Sequence, residues 1–132
     1  MDAHIRKVYV PMTETGFYIL LCLREERHGY GIVQKVEALT QGEIKISPGT
    51  LYGSLSKMEK DGLIKFIREE EKRKIYCITE LGTHVLDLEM RPIERLYKNM
   101  KEVETYEEYE SGIQIFHDSR MGERGELSQG TT

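Results

Sequence analysis

The sequence predicts a mainly α, α+β fold in which three helices, a two-stranded ribbon and one long C-terminal helix follow in that order. Three observations carry this reading. Apolar residues recur at helical spacing in three successive segments with their own start and stop signals. Two Ile-, Phe- and Tyr-rich segments with partial alternation follow, and helical spacing then resumes from Leu81 to Val103. At 132 residues and 39% hydrophobic content, the chain suits one compact domain with an appendage, not two independent cores.

Thr13 or Thr15 can cap a first helix that runs through Phe17 to Leu23 and turns charged at Arg24-Glu25-Glu26-Arg27. Its apolar residues encircle it, and a helix that is apolar all round must be covered on more than one side. A domain this small has little chain to do so, and Phe17, Leu20 and Leu21 are therefore expected to reach a partner subunit. The alternative is a central helix wrapped by its own domain.

His28-Gly29 interrupts the pattern, and a second helix follows with Ile32, Val33, Val36 and Leu39 on one stripe before Thr40-Gln41-Gly42 stops it. A short extended piece, Ile44-Lys45-Ile46, leads to a third helix that opens with Ser47 in the capping position and Pro48 at its first residue. This helix buries Leu51, Leu55 and Met58, and Gly62 ends it with Leu63 packing back. Stepping about 100° per residue then sends Gly49, Gly53, Ser56, Lys57 and Lys60 outward, with Thr50 and Tyr52 on the flanks.

Leu63–Arg68 and Arg73–Thr79 read as a hairpin separated by Glu69-Glu70-Glu71-Lys72. Thr79 caps the last helix, with Leu81, Val85 and Leu88 before Pro92 and Ile93, Leu96, Tyr97, Met100 and Val103 after it. Proline in a helix interior costs about 3 kcal/mol, so a bend or a fresh start is expected near Pro92. The division that results is an N-terminal arm at 1–12, a domain at 13–79, a C-terminal helix at 80–109 and an acidic tail at 110–132, disordered by composition.

The net charge of −4 hides an uneven distribution. Residues 1–101 carry 17 Lys and Arg against 15 Asp and Glu, whereas residues 102–132 carry 2 against 8. Between Lys45 and Lys74 there are 8 basic and 5 acidic side chains, so the acidity lies in the tail and the middle of the chain is basic. No run of about 18 apolar residues and no apolar leader is present, and a soluble, cytoplasmic protein is expected. Cys22 and Cys77 lie inside apolar segments without CxxC spacing and read as reduced core residues.

Three helices followed by a ribbon is the order of a winged helix-turn-helix domain, in which the third helix enters the major groove of DNA. Gly49 and Gly53 each cost an exposed helix up to ~1 kcal/mol relative to Ala, which fits a surface that a phosphate or base edge must approach closely. Tyr52, Thr50 and Lys57 supply donors beside them. At the hairpin tip, Lys72-Arg73-Lys74 can reach a minor groove or neutralise phosphates, provided the neighbouring glutamates point away or are held as local partners.

Pro11-Met12-Thr13-Glu14-Thr15, His28-Gly29-Tyr30-Gly31-Ile32, Ser47-Pro48-Gly49-Thr50-Leu51-Tyr52 and Gly62-Leu63-Ile64 follow one familiar pattern, continued by Arg73-Lys74-Ile75-Tyr76 and Ile78-Thr79-Glu80-Leu81-Gly82. Over roughly residues 9–90 the chain resembles the PadR family. The resemblance implies a homodimeric winged-helix regulator, usually a repressor, that binds double-stranded DNA through its third helix and pairs through its first and last helices. Tyr30, Ser47, Gly49, Thr50, Tyr52 and Lys57 match DNA-facing positions of the family, and Ile93, Leu96, Tyr97 and Met100 join Phe17, Leu20 and Leu21 at the expected dimer interface. Recognition helices about 34–36 Å apart would meet a palindromic operator. Some small relatives bind flat hydrophobic drugs beside a tryptophan at the dimer centre. This chain has no Trp and offers Phe17, Ile93, Tyr97 and Met100 to a small hydrophobic effector.

Catalysis is not expected, because His4, His28, His84 and His117 lie far apart without ligand spacing and no glycine-rich phosphate loop follows a strand. No cofactor or metal is implied. The rival reading is a winged-helix module that binds protein and not DNA, for which the acidic tail and wing glutamates would be the supporting features.

Overall fold

A computed structural model describes residues 1–111, with side chains through residue 104, so most of the expected acidic tail lies outside the described residues. Eight elements follow in order: α1 (Ala3–Tyr9), α2 (Glu14–Cys22), β1 (Arg27–His28), α3 (Gly29–Leu39), α4 (Pro48–Lys60), β2 (Ile64–Glu70), β3 (Arg73–Ile78) and α5 (Glu80–Ser111). They form two compact units divided between Pro92 and Ile93.

The segment expected as an arm contains α1, whose first N–H groups donate to the Asp2 carboxylate from His4 and Ile5. Ile5 and Tyr9, four residues apart on one face, enter the core of the first unit. Of the two candidate caps for α2, Thr13 is used, its hydroxyl accepting from the Gly16 N–H at 3.0 Å. The alternative reading of α2 holds for most of its surface: Ile19, Leu20 and Leu23 at its end are fully enclosed by their own domain, and Phe17, Tyr18 and Leu21 are half-buried. Leu20, expected at a subunit interface, is thus a core residue, because α3 packs on α2 while α1 adds Ile5 and Tyr9 to the same cluster.

Both α3 and α4 end in Schellman geometry. Leu63 N–H donates to the Met58 carbonyl and Gly62 N–H to the Glu59 carbonyl, with Gly62 at φ +83°. At the end of α3 the matching bonds run from Gly42 to Glu37 and from Gln41 to Ala38, so the left-handed position that favours glycine is taken by Gln41 at φ 53°. Leu39, expected on the buried stripe of α3, is 48% exposed. The stripe is completed by Ile32 and Val36, which are fully buried beside Leu51 and Leu55 of α4. Burial also pushes the Cys22 thiol up, as suits an unpaired core cysteine.

The sheet has three antiparallel strands in the order β1-β3-β2. The third strand is the two-residue β1, whose Arg27 and His28 pair with Tyr76 and Ile75. Within the hairpin, Ile64 faces Ile78 and Glu70 faces Arg73, with a bulge between Phe66 and Arg68 that resets the register toward the tip. The turn is shorter than the charged stretch suggested. Only Glu71 and Lys72 lie outside the strands, both at positive φ (51° and 66°), the backbone that a two-residue type I′ hairpin requires.

Thr79 joins the end of the ribbon to α5. Its hydroxyl accepts from the Gly82 N–H, donates to the Gly62 carbonyl at 2.6 Å, and its own N–H donates to the Leu63 carbonyl. Gly82 is obligatory here, since a Cβ on it would lie 2.1 Å from the Leu63 carbonyl oxygen. In the second unit α5 continues as one helix element past Pro92 to Ser111, so no fresh helix starts at the proline.

Candidate nucleic-acid interface

The backbone of α4 sorts its outward residues onto two flanks. Gly49, Thr50, Tyr52, Gly53, Ser56, Lys57 and Lys60 are all exposed, and a Cβ added at Gly49 or Gly53 would meet nothing within 4 Å. The first turn and the middle of the helix therefore present bare backbone to whatever approaches them. Ser47 and Thr50 are engaged with each other at its start: the Ser47 hydroxyl accepts the Thr50 N–H at 3.2 Å and donates to Thr50 Oγ1 at 3.1 Å.

On one flank, Tyr52, Ser56 and Glu59 face the hairpin across an open cleft of about 490 Å³ that is also lined by His28, Tyr30, Lys72, Arg73 and Lys74. Five of the residues expected to face DNA are thus brought together by three separate elements. Tyr52 reaches this position because Gly29 opens the α3 end: a Cβ there would lie 3.0 Å from the Tyr52 hydroxyl and ring. Arg73 extends over the Tyr30 ring at 5.9 Å and brings Nη1 to 3.1 Å from His28 Nε2. The opposite nitrogen, His28 Nδ1, accepts the Gly31 N–H at 3.0 Å and caps α3. Tyr76 forms the cleft wall, and burial, reinforced by Glu59, pushes its phenol up.

Lys57 lies on the other flank, with its ammonium 6.0 Å from the centre of the Tyr9 ring. Behind it, Tyr9 donates to Asp61 Oδ2 at 2.7 Å and His4 Nε2 is 3.2 Å from Oδ1, so α1 is tied to the end of α4. The Tyr9 hydrogen bond holds the Asp61 carboxyl below its usual range, while burial and the same bond push the Tyr9 phenol up.

One glutamate of the hairpin, Glu70, is held by a neighbour outside the basic trio. Glu70 pairs with Arg68 at 2.5 Å, and Arg68 also binds Glu26 at 2.6 Å. Those two hydrogen bonds hold the Arg68 guanidinium above its usual value. Among the described residues, Lys72, Arg73 and Lys74 form no ion pair, which leaves their charge available at the cleft mouth.

The residues expected for subunit pairing divide between the two units. Phe17 and Leu21 are half-buried in the first, where Phe17 packs edge-on against Tyr18 at 6.2 Å. In the second, Ile93, Leu96, Tyr97, Met100 and Val103 form an exposed apolar stripe at helical spacing, each between 52% and 67% accessible.

Residues 19–88, more than half of the chain, match the family described as the transcriptional regulator PadR-like family. The chain belongs to the PadR-like family of transcriptional regulators. A curated relative, the transcriptional regulator YqjI of Escherichia coli (strain K12), is 32% identical over 78 residues, which is 59% of this chain and 38% of YqjI. This PadR-like chain therefore spans well under half the length of that relative. Among solved structures, a PadR family transcription regulator from Clostridium difficile is similar at 25% identity and a TM-score of 0.55, covering 69% of this chain and 98% of that one. A PadR-like transcription factor from Bacteroides fragilis is also similar, at 25% identity and a TM-score of 0.53, covering 67% and 87% of the respective chains. The PadR-like match begins inside α2 and ends inside α5, so it includes every residue of the cleft. Among the described residues, no helix is long and apolar enough to cross a membrane.

In the sequence His28 marks only a break before the second helix, yet it lines the cleft. Its neighbour Gly29 and the N–H of Gly31 explain its capping role. Its second nitrogen became visible only once β3 placed Arg73 beside it.

Proposed function

We propose that this PadR-like regulator binds double-stranded DNA, placing α4 in a major groove and the β2–β3 hairpin against the flanking backbone. The observation that carries the proposal is the cleft between them, in which Tyr30, Tyr52, Lys72, Arg73 and Lys74 converge beside a helix whose outward face is bare at Gly49 and Gly53. Ser47, Thr50 and Lys57 complete the contact surface. Lys, Arg and Tyr serve different purposes here: the cations release counterions from phosphates, while the phenols and exposed backbone contact sugar and base edges.

The exposed stripe from Ile93 to Val103 supports self-association, since five apolar side chains at helical spacing are costly to leave in water. A homodimer presenting two α4 helices would read a palindromic operator and act by occluding it, as a repressor in the cytoplasm. Ile93, Tyr97 and Met100 are the residues proposed to meet a small hydrophobic effector that releases the operator. The proposal includes no catalytic step.

Selection of bound duplexes from a random pool tests this reading, with Lys57→Glu and Tyr52→Ala alongside the wild type. A palindromic site recovered by the wild type and lost by both variants is the expected result. A flat, sequence-independent recovery would favour the protein-binding module instead.

A further inference from the structure

We propose that His28 and Arg73 together hold one phosphodiester oxygen of the DNA backbone, a phosphate clamp that rests on the DNA-binding reading above. The argument is one of donors and acceptors. A neutral imidazole has a single lone pair, yet two N–H donors are aimed at this ring: the Gly31 amide at Nδ1, 3.0 Å away, and the Arg73 guanidinium at Nε2, 3.1 Å away. Arg73 has no acceptor to offer and does not give up its proton. Only one of the two contacts can be a hydrogen bond.

The Gly31 amide is fixed by the first turn of α3, whereas Arg73 is a long exposed side chain on β3. The lone pair therefore belongs to Nδ1, and Nε2 carries the hydrogen. That places an imidazole N–H and a guanidinium N–H side by side, both facing the cleft without an acceptor between them. Glu59, the carboxylate among the cleft-lining residues, hydrogen-bonds neither. One anionic oxygen would satisfy both donors at once, as in other charge-assisted pairs.

The choice of residue points the same way. Helix caps are ordinarily the short side chains Ser, Thr, Asp and Asn, any of which would serve Gly31. Histidine does the same task and extends a second polar atom beyond it into the cleft. Tyr30 holds Arg73 from the far side through its ring, and Lys72 and Lys74 add positive charge at the mouth. The N-terminus of α3 adds its partial positive charge. The cleft is open between a recognition helix and a hairpin, which fits a continuous strand passing through it.

His28→Asn separates the two roles, because Asn keeps the capping acceptor and lacks the far N–H. The variant is expected to melt with the wild type and to bind selected and unrelated duplexes alike about tenfold more weakly, with an unchanged salt slope, since the lost donor is neutral. Arg73→Ala should lower the slope by about 0.9. Single methylphosphonate substitutions along the duplex should reveal one position at which neither variant loses anything further. Imidazole nitrogen NMR of the wild type should show hydrogen on Nε2 and its shift when duplex is added, and this readout is unaffected by any folding defect of a variant. Wild-type DNA binding with a fully active His28→Asn, or hydrogen on Nδ1, would overturn the clamp and leave the DNA-binding reading standing. Failure of the wild type to bind any duplex would overturn both.

Discussion

Replacing Gly53 by Ala should make the protein more stable and a poorer DNA binder. Gly53 is inside α4, away from both caps, with ordinary helical backbone, and the added methyl would meet nothing within 4 Å in the free protein. Nothing in the fold opposes the change, so the full helix-propensity difference of about 0.8–1.0 kcal/mol should appear as added stability. For a domain of this size that corresponds to a rise in Tm of about 4 °C. In the proposed complex the same methyl would stand where a sugar, phosphate or base edge approaches the bare backbone. Overpacking of that kind costs about 1–3 kcal/mol, or roughly fivefold to 150-fold in Kd. Thermal melting followed by circular dichroism gives the first quantity. Fluorescence anisotropy on a selected duplex at fixed salt gives the second. Gly82→Ala is the contrasting control, because its Cβ would lie 2.1 Å from a backbone oxygen, and a loss of about 3 kcal/mol or more is expected. A Gly53→Ala protein that is stabilised yet binds DNA with wild-type affinity would refute the idea that the exposed glycines exist for close approach.

The tie between α1 and α4 should be visible at both ends of the pH scale. The lowered Asp61 pKa contributes stability that is full above about pH 4 and is lost as pH falls from there through the lowered value, and the raised Tyr9 pKa contributes stability that is full below about pH 10 and is lost as pH rises from there through the raised value. Urea midpoints should fall at both extremes, and Tyr9→Phe should weaken both dependences while costing about 1–2 kcal/mol near neutrality. The hairpin turn places Glu71 and Lys72 at positive φ, so the pair Glu71→Asn and Lys72→Gly should raise stability by about 1–2 kcal/mol. The same pair should lower the salt slope of DNA binding by about 0.9 if Lys72 neutralises a phosphate, and an unchanged slope would remove Lys72 from the contact. Leu96→Glu, in the centre of the exposed α5 stripe, should turn the proposed dimer into a monomer in sedimentation without changing the melting of the first unit. A dimer that persists would place self-association elsewhere.

What the sequence disclosed well was local chemistry. Ser47-Pro48, Thr13, Thr79 and Gly62 mark helix ends through groups within a few residues of one another, and each performs the capping role its type suggests. What it did not disclose depends on distant partners. α1 is a short helix of 7 residues whose Tyr9 finds Asp61 only in the folded chain. β1 has two residues whose pairing partners, Tyr76 and Ile75, come from the far side of the chain. The hairpin turn carries no glycine, so its two-residue geometry had no residue signature. Leu20 looked like surplus apolar surface because no count of residues along α2 shows how completely α3 and α1 cover it. At the site, Tyr52 and the basic trio could be named singly. Their convergence with Tyr30 and His28 around one cleft required the sheet order.

The junction at Thr79 and Gly82 sets how a signal can travel through the first unit. With no room for even a methyl group between the opening turn of α5 and the Leu63 carbonyl, and one hydroxyl bridging both chain segments, these parts have no freedom to slide past each other. A displacement that reaches the start of α5 must be passed to the C-terminal end of α4 undiminished, as motion of a gear with no backlash. In the proposed DNA-binding dimer, regulation through α5 would then change the spacing of the two α4 helices, leaving the shape of each one intact.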